Sequence, residues 1–405
     1  MLQGLHKDIQ QARYESLIID LSIAYEGYKF YLPAFLDFRG RIYRSGLLHF
    51  HERDLARSFI QFADSNNSPA CAPITALATC YHYKSFISQS AVVDWCESFL
   101  IHTDTNSPIS LINYASGAKR PFQFLSNIVL MELSKDNDSK MCIPITHDAS
   151  ASAYQIMSYF LMDECIARRT NLIPSENGEI QDLYLCILNE LKPFIQNELC
   201  DSNLSVLICS SITRKMVKGI FMPIIYGKTV MSTASDIKGY LSQYLTQKEC
   251  FDLAKICFKF WKVKYHNMDC LIRLIRSIGW VASSCGRPVQ YSVDYYTTIQ
   301  DYMQMESINI WVYDKLHKKR RKVSLRISTD KRDSKKTGVS TFVNFIHQKD
   351  AFIAMKVVEV MLYLKAPVYT VHDNFLTLPY YSQKVADIYS NLVTRMGSPL
   401  LIINK

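Results

Sequence analysis

Two aspartates far apart in the chain each end a short apolar run, Ile-Pro-Ile-Thr-His-Asp148 and Val-Tyr-Thr-Val-His-Asp373. A carboxylate buried in such a setting is tolerated only when it is paired, hydrogen-bonded or bound to a metal. A shared cation site satisfies both at once, and it demands a fold that brings the two strand ends together.

Between them, Thr213 to Gly227 reads TRKMVKGIFMPIIYG. Arg214 and Lys218 stand four residues apart, on one face of a helix, with Tyr226 and Gly227 two turns further on. Two carboxylates and a helix carrying Arg, Lys and Tyr are what nucleotidyl transfer to a 3′-hydroxyl requires. Two divalent ions about 3.5–4 Å apart lower the pKa of the nucleophile and hold the triphosphate. Asp148 and Asp373 are the expected ligands of two Mg2+ ions. Arg214 would grip phosphate oxygens bidentately and Lys218 would act as a point charge. Tyr226 offers a flat face for a base and a hydroxyl for the sugar, and Gly227 lets backbone approach nucleic acid closely.

Charge is concentrated in one place. The chain carries a net +9, and Lys315 to Lys336 alone holds eleven Lys or Arg against two Asp. A patch of that kind suits a polyanion, because each phosphate contact releases counterions. The twelve cysteines include no CxxC pair, which argues against a zinc site and for free thiols in a reducing compartment. The most apolar long window, Ala351 to Val371, is interrupted by Lys356, Glu359 and Lys365, so no membrane span is expected. The N-terminal MLQGLHKDIQQARYES mixes acids with bases, unlike a transit peptide.

Periodicity and breakers order the rest. Residues 5 to 29 read as a helix of mixed polarity, followed by Asp37-Phe-Arg39-Gly40-Arg41-Ile-Tyr43, in which Gly40 marks a turn presenting two guanidiniums together. Residues 50 to 140 read as helical, with breaks at Ser65 to Pro69 and Gly117 to Pro121. Ile143 to Asp148 reads as a strand and Tyr154 to Met162 as a helix, with a polar loop at Pro174 to Gly178. Core helices are expected where Phe251, Ala254, Phe258 and Trp261 recur, and where Ala351, Met355, Val358 and Leu362 do. Ile308 to Tyr313 and Val323 to Ile327 flank the basic Asp314 to Lys322 as a hairpin with a charged tip. Pro367 to Val371 is the second aspartate-bearing strand.

Taken in order, DFRGR, D-x-S, R-x3-K-x7-YG and HD resemble the bacteriophage-type single-subunit DNA-directed RNA polymerases, especially those carried on linear mitochondrial plasmids. The likeness runs from about Tyr31 to about Met396. It implies an α+β, predominantly helical fold: a right-hand palm and fingers, with a small antiparallel palm sheet carrying the catalytic aspartates. Residues 1–30 would be a remnant of the thumb or N-terminal connection, and 31–162 palm with a template-channel loop and motif A. Residues 163–342 would be fingers with motif B at 213–227 and a specificity-loop-like hairpin at about 303–327. Residues 343–405 would be palm with motif C.

In that resemblance Asp148, Lys218, Tyr226 and Asp373 are catalytic, and Asp148 and Asp373 ligate the metals. Arg214, Lys218, Tyr226 and His347 bind substrate. Arg39, Arg41, Gly227, Lys318, Lys319, Arg320 and Arg321 contact nucleic acid. Expected partners are a DNA template, an RNA product and NTPs, with an organellar transcription factor or separately supplied polymerase domains beside them. No membrane is expected. The implied location is the mitochondrion, with the chloroplast second.

The chain departs from the pattern at Ala149 and Ala153, where Gly is usual, at Asn374, where Ser is usual, and at Pro223, expected to kink the motif B helix. Family members extend well beyond both ends of the likeness, so a shortened chain is expected. A catalytically inactive, plasmid-derived fragment with residual nucleic-acid binding is the alternative reading. A family A DNA polymerase shares R-x3-K-x7-YG, but it places a glutamate shortly after the first aspartate, where this chain has Ser150 to Gln155 with no acid.

Overall fold

The computed structural model describes residues 2–64, 71–86, 88–102, 107–136, 142–176, 178–199 and 202–404. Among these the fold is predominantly helical with small antiparallel sheets. The chain divides into two compact units, Met1–Asp182 with Lys349–Asn404, and Leu183–Gln348. The expected break at Ser65 to Pro69 lies outside the described residues. No helix of the described residues is long and apolar enough to cross a membrane.

The first unit opens with α1 (Leu2–Ala24), then the short hairpin β1 (Ala34–Leu36) and β2 (Ile42–Arg44). Five helices follow: α2 (Asp54–Ser58), α3 (Cys71–Tyr83), α4 (Gln89–His102), α5 (Pro108–Ala115) and α6 (Pro121–Asp136). The expected break after Gly117 is real, and Pro121 opens α6, a position where its missing N–H costs nothing. Phe99, Leu111, Ala115, Phe124 and Ile128 form one core cluster among these helices.

Strand β3 (Ile145–Asp148) leads into α7 (Ser152–Leu161) and α8 (Glu164–Arg169). Its partners come from the C-terminal part of the chain, β8 (Val368–Val371) and β9 (Asn374–Thr377). The sheet order is β3-β9-β8, with every pairing antiparallel. Strand β9 is central and all four of its residues are buried. Leu376 joins Ile18, Leu48, Phe50, Ala56 and Ile60 in a core cluster on which Tyr369 and Val371 also pack. A 3-10 turn (Pro379–Tyr381), α16 (Ser382–Thr394) and α17 (Pro399–Asn404) complete the unit.

The second unit holds α9 (Leu183–Glu198), α10 (Ser202–Ser211), α11 (Arg214–Ile225), α12 (Val230–Leu241), α13 (Gln247–Lys264) and α14 (His266–Ser284). Helix α13 starts at a reciprocal cap, in which the Thr246 hydroxyl accepts from Glu249 N–H while the Glu249 carboxylate accepts from Thr246 N–H. Its buried stripe is Leu253, Ala254, Cys257, Phe260 and Trp261. Two hairpins follow, β4 (Val289–Val293) with β5 (Tyr296–Gln300), and β6 (Met303–Asp314) with β7 (Lys319–Arg332). The second is the expected charged hairpin, longer than its β-prone runs suggest; its turn is confined to Lys315–Lys318, with Lys318 at φ +49.

Helix α15 (Ser334–Tyr363) corrects one expectation. The stretch is the expected core helix, with Ala351 buried and Met355 and Val358 half-buried, but the stripe ends early: Leu362 is 66% exposed, and Ile353, Ala354, Val357 and Met361 are the other buried positions. Apolar residues surround this stretch on nearly all sides, so more than one stripe fits the helical period and packing chooses among them.

Candidate active site

The β3–β9 register brings the two aspartate segments together. Asp148 lies directly opposite Asn374, the residue after Asp373, and Ala149 N–H donates to the Asp373 carbonyl at 3.3 Å. Asp373 sits in the two-residue turn between β8 and β9, where His372 takes φ +60. Neither carboxylate is fully buried: Asp148 is exposed and Asp373 half-buried, because Asp148 is the last residue of β3 and Asp373 lies in the β8–β9 turn.

The buried acid of this region is Asp350 on α15, 3% exposed. Burial, and then the charge of Asp373, push its pKa up to about 6 against the pull of Arg41. Arg41 Nη2 lies 2.5 Å from Asp350 Oδ2. The loop bearing Arg39 and Arg41 therefore departs from expectation, since neither guanidinium is simply presented to solvent. Arg39 folds back on Asp37, whose other oxygen accepts from Arg39 N–H and Arg41 N–H. Gly40 supplies the φ +83 that this tight turn needs.

Tyr389 of α16 marks where the three acids converge. Its hydroxyl donates to Gln155 Oε1 at 2.8 Å. Burial, then Asp350, Asp373 and Asp148 in that order, raise its pKa far above the usual tyrosine value, so it stays a neutral donor. On β3, His147 Nε2 lies 2.9 Å from the Ser382 hydroxyl, and burial pushes its pKa down to about 4.

A stack of rings supports the β8–β9 turn. Tyr43 meets Phe35 at 5.7 Å, His51 at 5.7 Å and His372 at 4.9 Å. Burial, then the neighbouring His372 and His49, push the His51 pKa down to about 4, which suits a neutral packing ring.

In the second unit, Thr213 caps α11 by accepting from Met216 N–H. Met216, Val217, Ile220, Phe221, Ile224 and Ile225 are buried, which leaves Arg214 and Lys218 exposed on the opposite face. Both cations lie over the same Tyr184 ring, at 5.8 Å and 5.7 Å from its centre. Pro223 is accommodated in the last turn of α11, and Lys228 N–H closes that turn on the Pro223 carbonyl. Tyr226 is the C-cap, so it leaves the Arg214–Lys218 face, and its ring lies 5.4 Å from that of His347. Gly227 follows at φ +90. Lys318, Lys319, Arg320 and Arg321 are exposed at the tip of the β6–β7 hairpin.

The sequence alone assigned Asp350 no role. Its signal was an acid directly preceding an apolar helical stretch. Tyr389 and Tyr184 left no comparable trace, because their places depend on elements distant in sequence.

Among the described residues no group of three or more His, Cys, Asp or Glu is arranged to hold a metal ion. Two strand-end carboxylates, one of them exposed, instead fit a hard cation such as Mg2+. That ion keeps several waters and binds through one or two carboxylates together with substrate phosphates.

The family model for DNA-dependent RNA polymerase matches residues 75–396. A probable DNA-directed RNA polymerase of Zea mays is 32% identical over 99% of this chain and 40% of its own length. One of Agaricus bitorquis is 27% identical over 89% of this chain and 35% of its own length. The mitochondrial DNA-directed RNA polymerase of Neurospora crassa is 24% identical over 58% of this chain and 17% of its own length. The chain thus spans about two fifths or less of these relatives. With four fifths of its residues matched by one family model, the chain belongs to the DNA-dependent RNA polymerases, a family of nucleotidyltransferases.

Proposed function

We propose that this chain carries the palm and fingers of a single-subunit RNA polymerase and extends an RNA 3′ end with NTPs on a DNA template. The observation that carries this reading is the β3–β9 pairing, which sets Asp148 beside Asp373 in a chain of this family. Two Mg2+ ions held by these carboxylates would activate the attacking 3′-hydroxyl and offset charge on the triphosphate and its leaving group.

The chain's own residues do the rest. Arg214 and Lys218 hold the triphosphate, from a face already oriented by the Tyr184 ring. Tyr226 and His347 meet the sugar edge of the incoming nucleotide, and Gly227 keeps the backbone close. Asp350 holds Arg41 and Asp37 holds Arg39, so that the β1–β2 loop meets the template as a fixed turn. Lys318 to Arg321 at the hairpin tip take phosphates of the DNA. The proposed location is the mitochondrion, as the name of the Neurospora relative says of that protein.

Primer extension on a preformed DNA template with an annealed RNA primer tests the proposal without promoter recognition. NTP incorporation by the wild-type chain, lost in Asp148→Asn and Asp373→Asn and much weaker with dNTPs, is the expected result. Folded protein that binds the scaffold but adds no nucleotide would instead identify a catalytically inactive relative, and preference for dNTPs a DNA polymerase.

A further inference from the structure

A cavity of about 360 Å³ lies wholly within the second unit, behind the C-terminal end of α11. Lys228, Lys262, His266, Asp269, Arg273 and Arg276 line it, four cations and a histidine against one carboxylate. Phe258 and Trp261 of α13 add apolar wall. Two of the cations are neutralised locally, Lys228 by Asp236 and Arg273 by Asp269, the latter at 2.9 Å.

Arg276 is different. Its Nε and Nη2 are buried and have no hydrogen-bond partner among the described residues. Asp269 acts on this half-buried guanidinium from nearby, yet two of its nitrogens still lack an acceptor, and an anion in the adjoining cavity would supply one. Gly227 is shaped around this side chain: a Cβ there would lie 2.9 Å from Arg276 Nη2 and 3.0 Å from Val339 Cγ1. Helix α14 also begins at the cavity, with His266 and Asp269 in its first turn; Tyr265 is both its N-cap and the C-cap of α13, so the two helix dipoles oppose there and the side-chain cations supply the positive charge.

We propose that this cavity is a phosphate-binding site, with Arg276 as the central cation and Lys262 at its rim. The phosphate belongs to a nucleic-acid strand or to a free nucleotide or pyrophosphate; the chemistry recognised is the same. Nothing in it depends on catalysis by Asp148 and Asp373.

The test uses the full chain as wild type, Lys262→Gln and Lys262→Gln/Arg276→Gln. Anisotropy of a labelled single-stranded DNA 12-mer is titrated at several salt concentrations, and inorganic pyrophosphate binding is followed by calorimetry. If a strand phosphate is bound, each lost charge weakens 12-mer binding about threefold and lowers the salt slope by about 0.7. If a free phosphate is bound, pyrophosphate heats seen for the wild type disappear in the double variant while 12-mer binding holds. Either result supports the site. Unchanged 12-mer affinity and salt slope, with no variant-sensitive pyrophosphate heat, overturn it. Lys262 is exposed, so its single variant keeps the test decisive if Arg276→Gln fails to fold. Both probes are titrated with a chelator present, so that neither signal depends on metal at Asp148 and Asp373, which separates failure of this site from failure of the polymerase reading.

Discussion

Arg41 and Asp350 form an ion pair at 2.5 Å in which the carboxylate is almost wholly buried, joining the β1–β2 loop to the helix that leads to Asp373. Removing one partner of such a pair costs about 3–5 kcal/mol, because the other is left buried and uncompensated. Arg41→Gln should therefore destabilise strongly, while Arg41→Gln/Asp350→Asn recovers most of the loss. Urea unfolding of both single variants and the double closes the cycle; simple additivity would show that the two side chains are not coupled.

The same carboxylate predicts a pH dependence. Its pKa is raised from 3.8 to about 6, so between these values the native state binds the more protons. The contribution is present below about pH 4 and is lost as pH rises through 6. Asp350→Asn does not titrate. Stability of the wild type minus that of Asp350→Asn, measured by chemical denaturation with a chelator present, should fall between pH 4 and 6 and level off above.

Two helical glycines should respond oppositely to alanine. A Cβ at Gly279 would overlap Thr341 Oγ1 and lie 2.7 Å from Thr341 Cβ, whereas one at Gly239 would meet nothing within 4 Å. Gly279→Ala should cost about 1–3 kcal/mol through overpacking. Gly239→Ala should stabilise by about 0.5–1 kcal/mol, since α12 gains a better helix former. Thermal melts of the two variants decide, and a stabilised Gly279→Ala would contradict the close approach of α14 to α15.

The hairpin tip should matter for binding and not for folding. Lys318, Lys319, Arg320 and Arg321 are exposed, so changing all four to Gln should leave unfolding within about 0.5 kcal/mol per site. Duplex DNA affinity should fall, with a salt slope smaller by about 3.6 if all four charges meet phosphates. An unchanged slope would remove the tip from the DNA contact surface.

What the sequence showed depended on whether neighbours or distant elements decided the outcome. Strand β3, helix α11, helix α13 and the basic hairpin were legible because alternation, capping residues and charge are local. Strand β9 was not: Asn374-Phe-Leu-Thr has all four residues buried, so the alternation that announces a half-exposed strand is missing. For Arg41, the loop sequence showed a cation but could not show Asp350, more than three hundred residues away, as its acceptor. The motif spacing located Asp148 and Asp373, yet only the register placed them side by side, at the surface rather than in the core.

That register has a consequence for biosynthesis. Asp148 finds its strand partner at Asn374, 226 residues later, so at about 5–20 residues per second a ribosome needs roughly 11–45 s to make the missing piece. Throughout that interval β3 emerges with an unpaired edge, and a nascent chain stalled before Asn374 holds the first aspartate without the second. Premature termination anywhere in the intervening stretch would yield product unable to assemble the carboxylate pair.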